Sequence, residues 1–152
     1  MGSIGSPWNY NYFQMFGRIA ASGNVNSLLE EDEETARIMR LEGKTYCFCR
    51  LFNSCSALTQ APELPATTLA KGCYLNMFNG CSSLTQAPAL PATTLTSSCY
   101  AGMFENCSSL TQAPELPATT LVDYCYGDMF NSCTSLNSIK VAFTNWAGNA
   151  TS

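Results

Sequence analysis

The sequence predicts an α/β solenoid, right-handed, with about 26 residues per coil, each coil a short parallel strand plus a short helix. A 26-residue unit is written nearly three times, at 47–72, 73–98 and 99–124, and a partial fourth copy occupies 125–136. Each copy reads roughly Cys-aromatic-x-x-Met-Phe-x-x-Cys-Ser-Ser-Leu-Thr-Gln-Ala-Pro-x-Leu-Pro-Ala-Thr-Thr-Leu. A fixed period of this length marks coils that each cover a neighbour's apolar face. Within the unit, apolar residues recur four apart and then give way to a proline-punctuated run.

The helix is read from 94 onwards. Leu95, Cys99, Met103 and Cys107 lie four apart, a spacing that lines one helical face. Thr94 stands at the N-cap position, Phe104 widens the buried stripe, and the helix ends near Asn106. Ser108 and Ser109 form the corner. Leu110, Ala113 and Leu116 follow three apart, not two, and Pro114 removes an amide donor at the same place in every coil. The expectation is a short extended segment before Pro114 and a polyproline-like exit after it.

The ends differ, as the ends of a stack must. Residues 1–7 read as an expression scar, 8–46 as an N-terminal cap with an acidic insert, and 137–152 as a C-terminal cap. Asn11-Tyr12-x-x-Met15-Phe16-x-x-Ile19 looks like a degenerate first helix. Met15 and its counterpart Leu51 are 36 residues apart, one period plus ten. The excess falls at Glu30–Glu34 and the stretch after it, where the acids would favour the N-terminus of a short helix running through Met39. A solvated cap insert is preferred there over a cation site. Lys140-Val-Ala-Phe143 is expected as an edge strand, with Trp146 covering the last coil.

Composition narrows the function. Hydrophobic residues make up 46% of the chain, enough for a real core, and charged residues only 12%, about half the usual share. The surface is therefore neutral and polar. The seven basic residues form no stripe and have no aromatics set among them, which argues against nucleic acid and anionic membrane surfaces as partners. No apolar run has the length of a membrane span, so membrane insertion is not expected. Histidine is absent.

Eight of the nine cysteines fall into register. Cys47, Cys73, Cys99 and Cys125 open the units; Cys55, Cys81, Cys107 and Cys133 follow eight residues later. Coils about 5 Å apart would bring equivalent thiols within disulfide reach. Bridging would strain a regular stack, and an odd count leaves one thiol over, so two ladders of small buried hydrophobes are the favoured reading. Without histidine or a Cys-x-x-Cys pair there is no zinc signature, and no metal or other cofactor is expected.

At Met-Phe-x-x-Cys-Ser-Ser-Leu-Thr the unit resembles the BspA-like (Treponema-type) leucine-rich repeats of surface proteins of gut and oral Bacteroidetes. Phe104, Cys107, Leu110 and Ala113 match that family's Ala-Phe-x-x-Cys-x-x-Leu-x-x-Ile, and the resemblance covers about 46–139. The unit here is longer than the family's usual one and sets proline where a strand residue is expected. The resemblance implies a leucine-rich-repeat solenoid and an extracellular or cell-surface binding or adhesion module, often part of a longer anchored protein. It supplies no binding residues to carry across.

Catalysis finds little footing. Serine and threonine recur in every coil, the mark of scaffold. Cys49 lies outside the ladders beside Arg50 and reads as an inert thiol. Glu63 and Glu115, imagined as a carboxylate pair, sit two coils apart with Ala89 between them. A binding surface fares better. Thr59-Gln60, Thr85-Gln86 and Thr111-Gln112 should stack into polar rows on the strand face, flanked by Glu63 and Glu115. Tyr74, Tyr100 and Tyr126 form an aromatic row better suited to packing than to ligand stacking. The favoured reading is a non-catalytic module that contacts a host or microbial protein or glycan. The competing readings are a structural spacer or stalk of a larger surface protein, and a phage or designed-repeat origin. Incomplete caps would leave strand edges open to end-to-end association.

Overall fold

In each coil the backbone enters the left-handed region at three positions four residues apart: Tyr46, Arg50 and Ser54; Gly72, Asn76 and Gly80; Ser98, Gly102 and Asn106; Tyr124, Asp128 and Ser132. An α-helix cannot absorb a positive φ every fourth residue. The chain runs instead as a string of overlapping β-turns. Cys73, Leu75, Met77, Asn79 and Cys81 each donate their N–H to the carbonyl three residues back, at 3.0–3.2 Å. The residues between them donate the other way. Gly72, Tyr74, Asn76, Phe78 and Gly80 bond the carbonyls of Ser97, Cys99, Ala101, Met103 and Glu105 in the next coil. The same five bonds recur at the junctions before and after, all between 2.7 and 3.1 Å. The computed structural model describes residues 21–29 and 40–145, and within them the coils stack through these turn segments.

This corrects the expected coil of one strand plus one helix. Among the described residues the one helical element is η1, the 3-10 helix Val25–Leu28, and no run of pairing is long enough to form a strand. What remains of β structure is four isolated parallel bridges: Asn24 with Glu63, Thr68 with Thr94, Gln86 with Gln112, and Leu116 with Val141. The helix expected over Thr94–Asn106 is a turn string, and Thr94 pairs with Thr68 instead of capping. The physical reason lies in the spacing itself. Residues four apart share a face in a helix, and they also share a face in a string of turns that repeats every four. In this string Cys99 and Tyr100 point inward, as do Met103 and Phe104, while Asn106 is exposed.

The expected edge strand Lys140–Phe143 is likewise a single bridge. Leu116 donates to Lys140 O and accepts from Ala142 N, each at 3.0 Å. At the other end Asn24 caps η1 by accepting Asn26 N at 2.9 Å. Asn24 and Glu63 pair 39 residues apart, so the spacing at this junction exceeds the 26-residue repeat by 13. The degenerate first copy at Asn11–Ile19, the acidic run Glu30–Glu34, the short helix through Met39 and the Trp146 cover all lie outside the described residues.

The core consists of columns in which a residue packs on its own counterparts. Phe48, Tyr74, Tyr100 and Tyr126 stack at 5.7–5.9 Å with planes within 9°, and Phe143 closes that column at 25°. Phe52, Phe78, Phe104 and Phe130 form a second column at 5.4–5.8 Å. Leu58, Leu84 and Leu110 are fully buried, as are Met77 and Met103. Burying a side chain of this size stabilises by about 1.5–3 kcal/mol. Across the turn face, Glu105 ties three coils together by accepting from Asn79 Nδ2 at 2.7 Å and Asn131 Nδ2 at 3.1 Å.

The left-handed positions set a test. Gly102 has φ +57, and a Cβ there would overlap the Asn76 side chain. Gly43 has φ +74 with open space around it. Gly102→Ala should cost about 2–3 kcal/mol in urea unfolding, and Gly43→Ala about 1 kcal/mol. Equal costs at the two sites would contradict the packed-turn account.

Candidate polar face and the buried thiols

Thr59, Gln60, Glu63, Thr85, Gln86, Thr111, Gln112 and Glu115 are all exposed. They follow the turn string, where the Leu-Thr-Gln run leaves the core at Leu58, Leu84 and Leu110. Two coils are joined directly here. Thr111 N and Thr111 Oγ1 both donate to Thr85 O, at 3.1 and 3.2 Å, and Gln86 pairs with Gln112 across a parallel bridge. The face is therefore carried by isolated bridges, not by the strand surface expected from the sequence.

Gln60, Glu63 and Gln86 share an open groove of about 460 Å³ with Pro62, Pro88 and Ala89. The prolines present rigid apolar walls without amide donors, so the polar groups offered to a ligand are the side chains. Thr59, Thr85, Thr111, Gln112 and Glu115 do not line it. The two glutamates are divided between the ends of the row. Glu63 bonds through its backbone to Gly23 and Val25, at 2.7 and 3.1 Å. Glu115 pairs with Lys140, both largely exposed. Sequence reasoning placed Lys140 in an edge strand and read the recurring proline only as an interruption of pairing, and assigned neither to the polar face. The signal for the prolines was present, since Pro62 and Pro88 recur at a fixed register beside the glutamines.

All nine cysteines are buried and unbridged. In the second row, Cys81 Sγ donates to Phe52 O at 3.1 Å, Cys107 Sγ to Phe78 O at 3.1 Å and Cys133 Sγ to Phe104 O at 3.0 Å. These thiols act as donors between coils as well as small apolar fillers. Desolvation pushes Cys47, Cys81 and Cys99 up to about 12, against an ordinary value of 9.0. At Cys49 burial also raises the thiol, and the Arg50 charge only opposes it. A thiol held protonated is a poor nucleophile. Among the described residues no group of three or more His, Cys, Asp or Glu could hold a metal ion, and no helix is long and apolar enough to cross a membrane.

The hydroxyls of Tyr74, Tyr100 and Tyr126 are buried without a hydrogen-bond partner among the described residues, and nothing in the structure explains the preference for tyrosine over phenylalanine there. Comparison with protein-family models, with curated proteins and with solved structures finds no match to this chain.

The raised thiols make stability depend on pH in one direction. An unfolded thiol ionises near 9.0, whereas Cys47, Cys81 and Cys99 hold their protons to about 12 in the fold. Their contribution is full below about pH 9 and is lost as pH rises from there towards 12, at about 1.4 kcal/mol per pH unit for each thiol. Tm should hold steady from about pH 7 to 8.5 and fall steeply by about pH 10.5. A Tm that is flat across that range would refute the buried-thiol account.

Proposed function

We propose that this chain is a non-catalytic binding module that recognises an extended polypeptide or glycan through the face carrying Thr59-Gln60, Thr85-Gln86 and Thr111-Gln112. The observation that carries this reading is the open groove in which Gln60, Glu63 and Gln86 project beside proline walls. An extended ligand lying along the stack axis would meet a glutamine at each coil, with amide donors and acceptors at a constant spacing. The nucleophilic side chains favour the same reading, because the cysteines are turned inward and held protonated. A cell-surface or secreted setting, with a host or microbial protein or glycan as partner, rests on the resemblance of the Met-Phe-x-x-Cys-Ser-Ser-Leu unit to BspA-like repeats.

The second reading is a spacer that positions another domain. It is favoured by the continuous backbone bonding and aromatic columns, which stiffen the molecule along its axis.

Screening against immobilised mucins, matrix proteins and glycans, followed by the triple variant Gln60→Ala, Gln86→Ala and Gln112→Ala, separates the two. Binding that falls at least about tenfold in the variant, with Tm unchanged, supports the polar face; the effect corresponds to about 1.4 kcal/mol or more. Binding that survives the triple substitution places the ligand elsewhere. No binding to any surface favours the spacer.

A further inference from the structure

We infer that the groove between units 47–72 and 73–98 takes a basic side chain, arginine foremost, of an extended polypeptide ligand; this rests on the polar-face reading and narrows its ligand to one class. The Thr-Gln stretch does not join every pair of coils. Between the second and third units, Thr111 N–H donates to Thr85 O at 3.1 Å, Ala87 N–H reaches Gln112 O at 3.5 Å, and Thr111 Oγ1 adds a bond to Thr85 O. One coil earlier the same register would pair Thr85 N–H with Thr59 O and Ala61 N–H with Gln86 O, and neither bond is made. Among the described residues Thr59 O and Gln86 O accept no backbone N–H. The groove lies at this unjoined place, lined by 60–65 on one side and by 86–89 and Pro91 on the other.

Its charge is one-sided. The variable residue of Ala-Pro-x-Leu-Pro is Glu63, Ala89 and Glu115 in successive units. Glu115 is paired with Lys140, and Ala89 carries no charge. Glu63 forms no ion pair among the described residues, and no lysine or arginine lines the groove. The Glu63 backbone is held on both sides, its N–H by Gly23 O and its carbonyl by Val25 N–H, so the exposed carboxylate extends from a fixed point.

The other polar groups there suit a donor-rich cation. Gln60 and Gln86 offer carboxamide oxygens, Thr59 and Gln86 offer unused carbonyls, and a guanidinium brings five N–H donors and no acceptor. The carboxamide NH₂ groups remain for the ligand's own peptide carbonyls. Pro65, Pro88, Ala87 and Ala89 supply apolar surface along which the methylene stem of a long basic side chain can lie. No aromatic ring lines the groove to give a sugar a flat face to pack on. The chemistry therefore favours a cationic polypeptide over a glycan.

The test is an NMR titration of the isotope-labelled full chain with a Gly/Ser peptide carrying one central arginine. A second peptide carries citrulline instead, which keeps the shape of arginine and removes its charge. The arginine peptide should shift the amides of Gln60, Glu63 and Gln86 saturably. Citrulline in the peptide, or Glu63→Gln in the protein, should weaken binding about fivefold, the upper end for an exposed ion pair, and raised salt should shrink that difference. Glu63 is exposed and its backbone bonds survive the substitution, so Tm should not move. Asp123→Asn removes an exposed charge elsewhere and should leave binding unchanged. Equal binding of the citrulline peptide, or equal binding by Glu63→Gln, overturns the inference. So does an arginine peptide that shifts none of the three residues. An amino-sugar oligosaccharide that shifts them where the arginine peptide does not would make a glycan the ligand and overturn the choice of polypeptide. Mucin or matrix binding that is lost in the triple glutamine variant would uphold the polar face even then, so the two failures are distinguishable.

Discussion

The backbone hydrogen bond from one turn segment to the next, made five times at each junction, sets the geometry on which everything else in this molecule depends. At about 1 kcal/mol net for each bond, a junction gains on the order of 5 kcal/mol from these bonds alone. Their larger effect is on register. Because alternate amides are committed along the stack axis, every residue sits over its counterpart 26 positions away, and a side chain packs on its own kind. Phenylalanine stacks on phenylalanine in one column and tyrosine on tyrosine in another. The inter-coil thiol bonds of Cys81, Cys107 and Cys133 follow from the same alignment, since each reaches a carbonyl 29 residues back.

That alignment also divides the chemistry of the chain. The cysteines are drawn into the stack, where desolvation pushes the Cys47 and Cys99 thiols up to about 12. The Thr-Gln pairs are left outside, in rows with the period of the coils. The groove at Gln60, Glu63 and Gln86 lies on that outer side, and so does the Lys140–Glu115 pair.

Much of this was legible in the sequence, and one substantial part was misread. The period was visible, as was the separation of inward Cys, Met, Phe and Leu from outward Thr and Gln. The helix was wrong because Leu95, Cys99, Met103 and Cys107 satisfy a turn string repeating every four residues as well as they satisfy a helical face. The discriminating signal was the small and turn-forming residues between them. Gly72, Asn76, Gly80, Gly102 and Asn106 occupy left-handed positions that a helix interior would not tolerate. Tyr46, Arg50 and Tyr124 hid that signal, because they take positive φ without being residues that advertise it. The strand was misjudged for a related reason: the prolines leave room for single bridges such as Gln86 with Gln112 and no more. Which amides bond within a coil and which between coils could not be read at all, since the two kinds alternate along one turn string.

The strict 26-residue period bears on how such a chain can change length. Any coil's carbonyl edge matches any coil's amide edge, because both are drawn from the same turn string. Whole units can therefore be duplicated or lost in a single genetic step with the joints on either side still fitting. Gain or loss of one residue inside a turn string would instead shift every column beyond it off its partner.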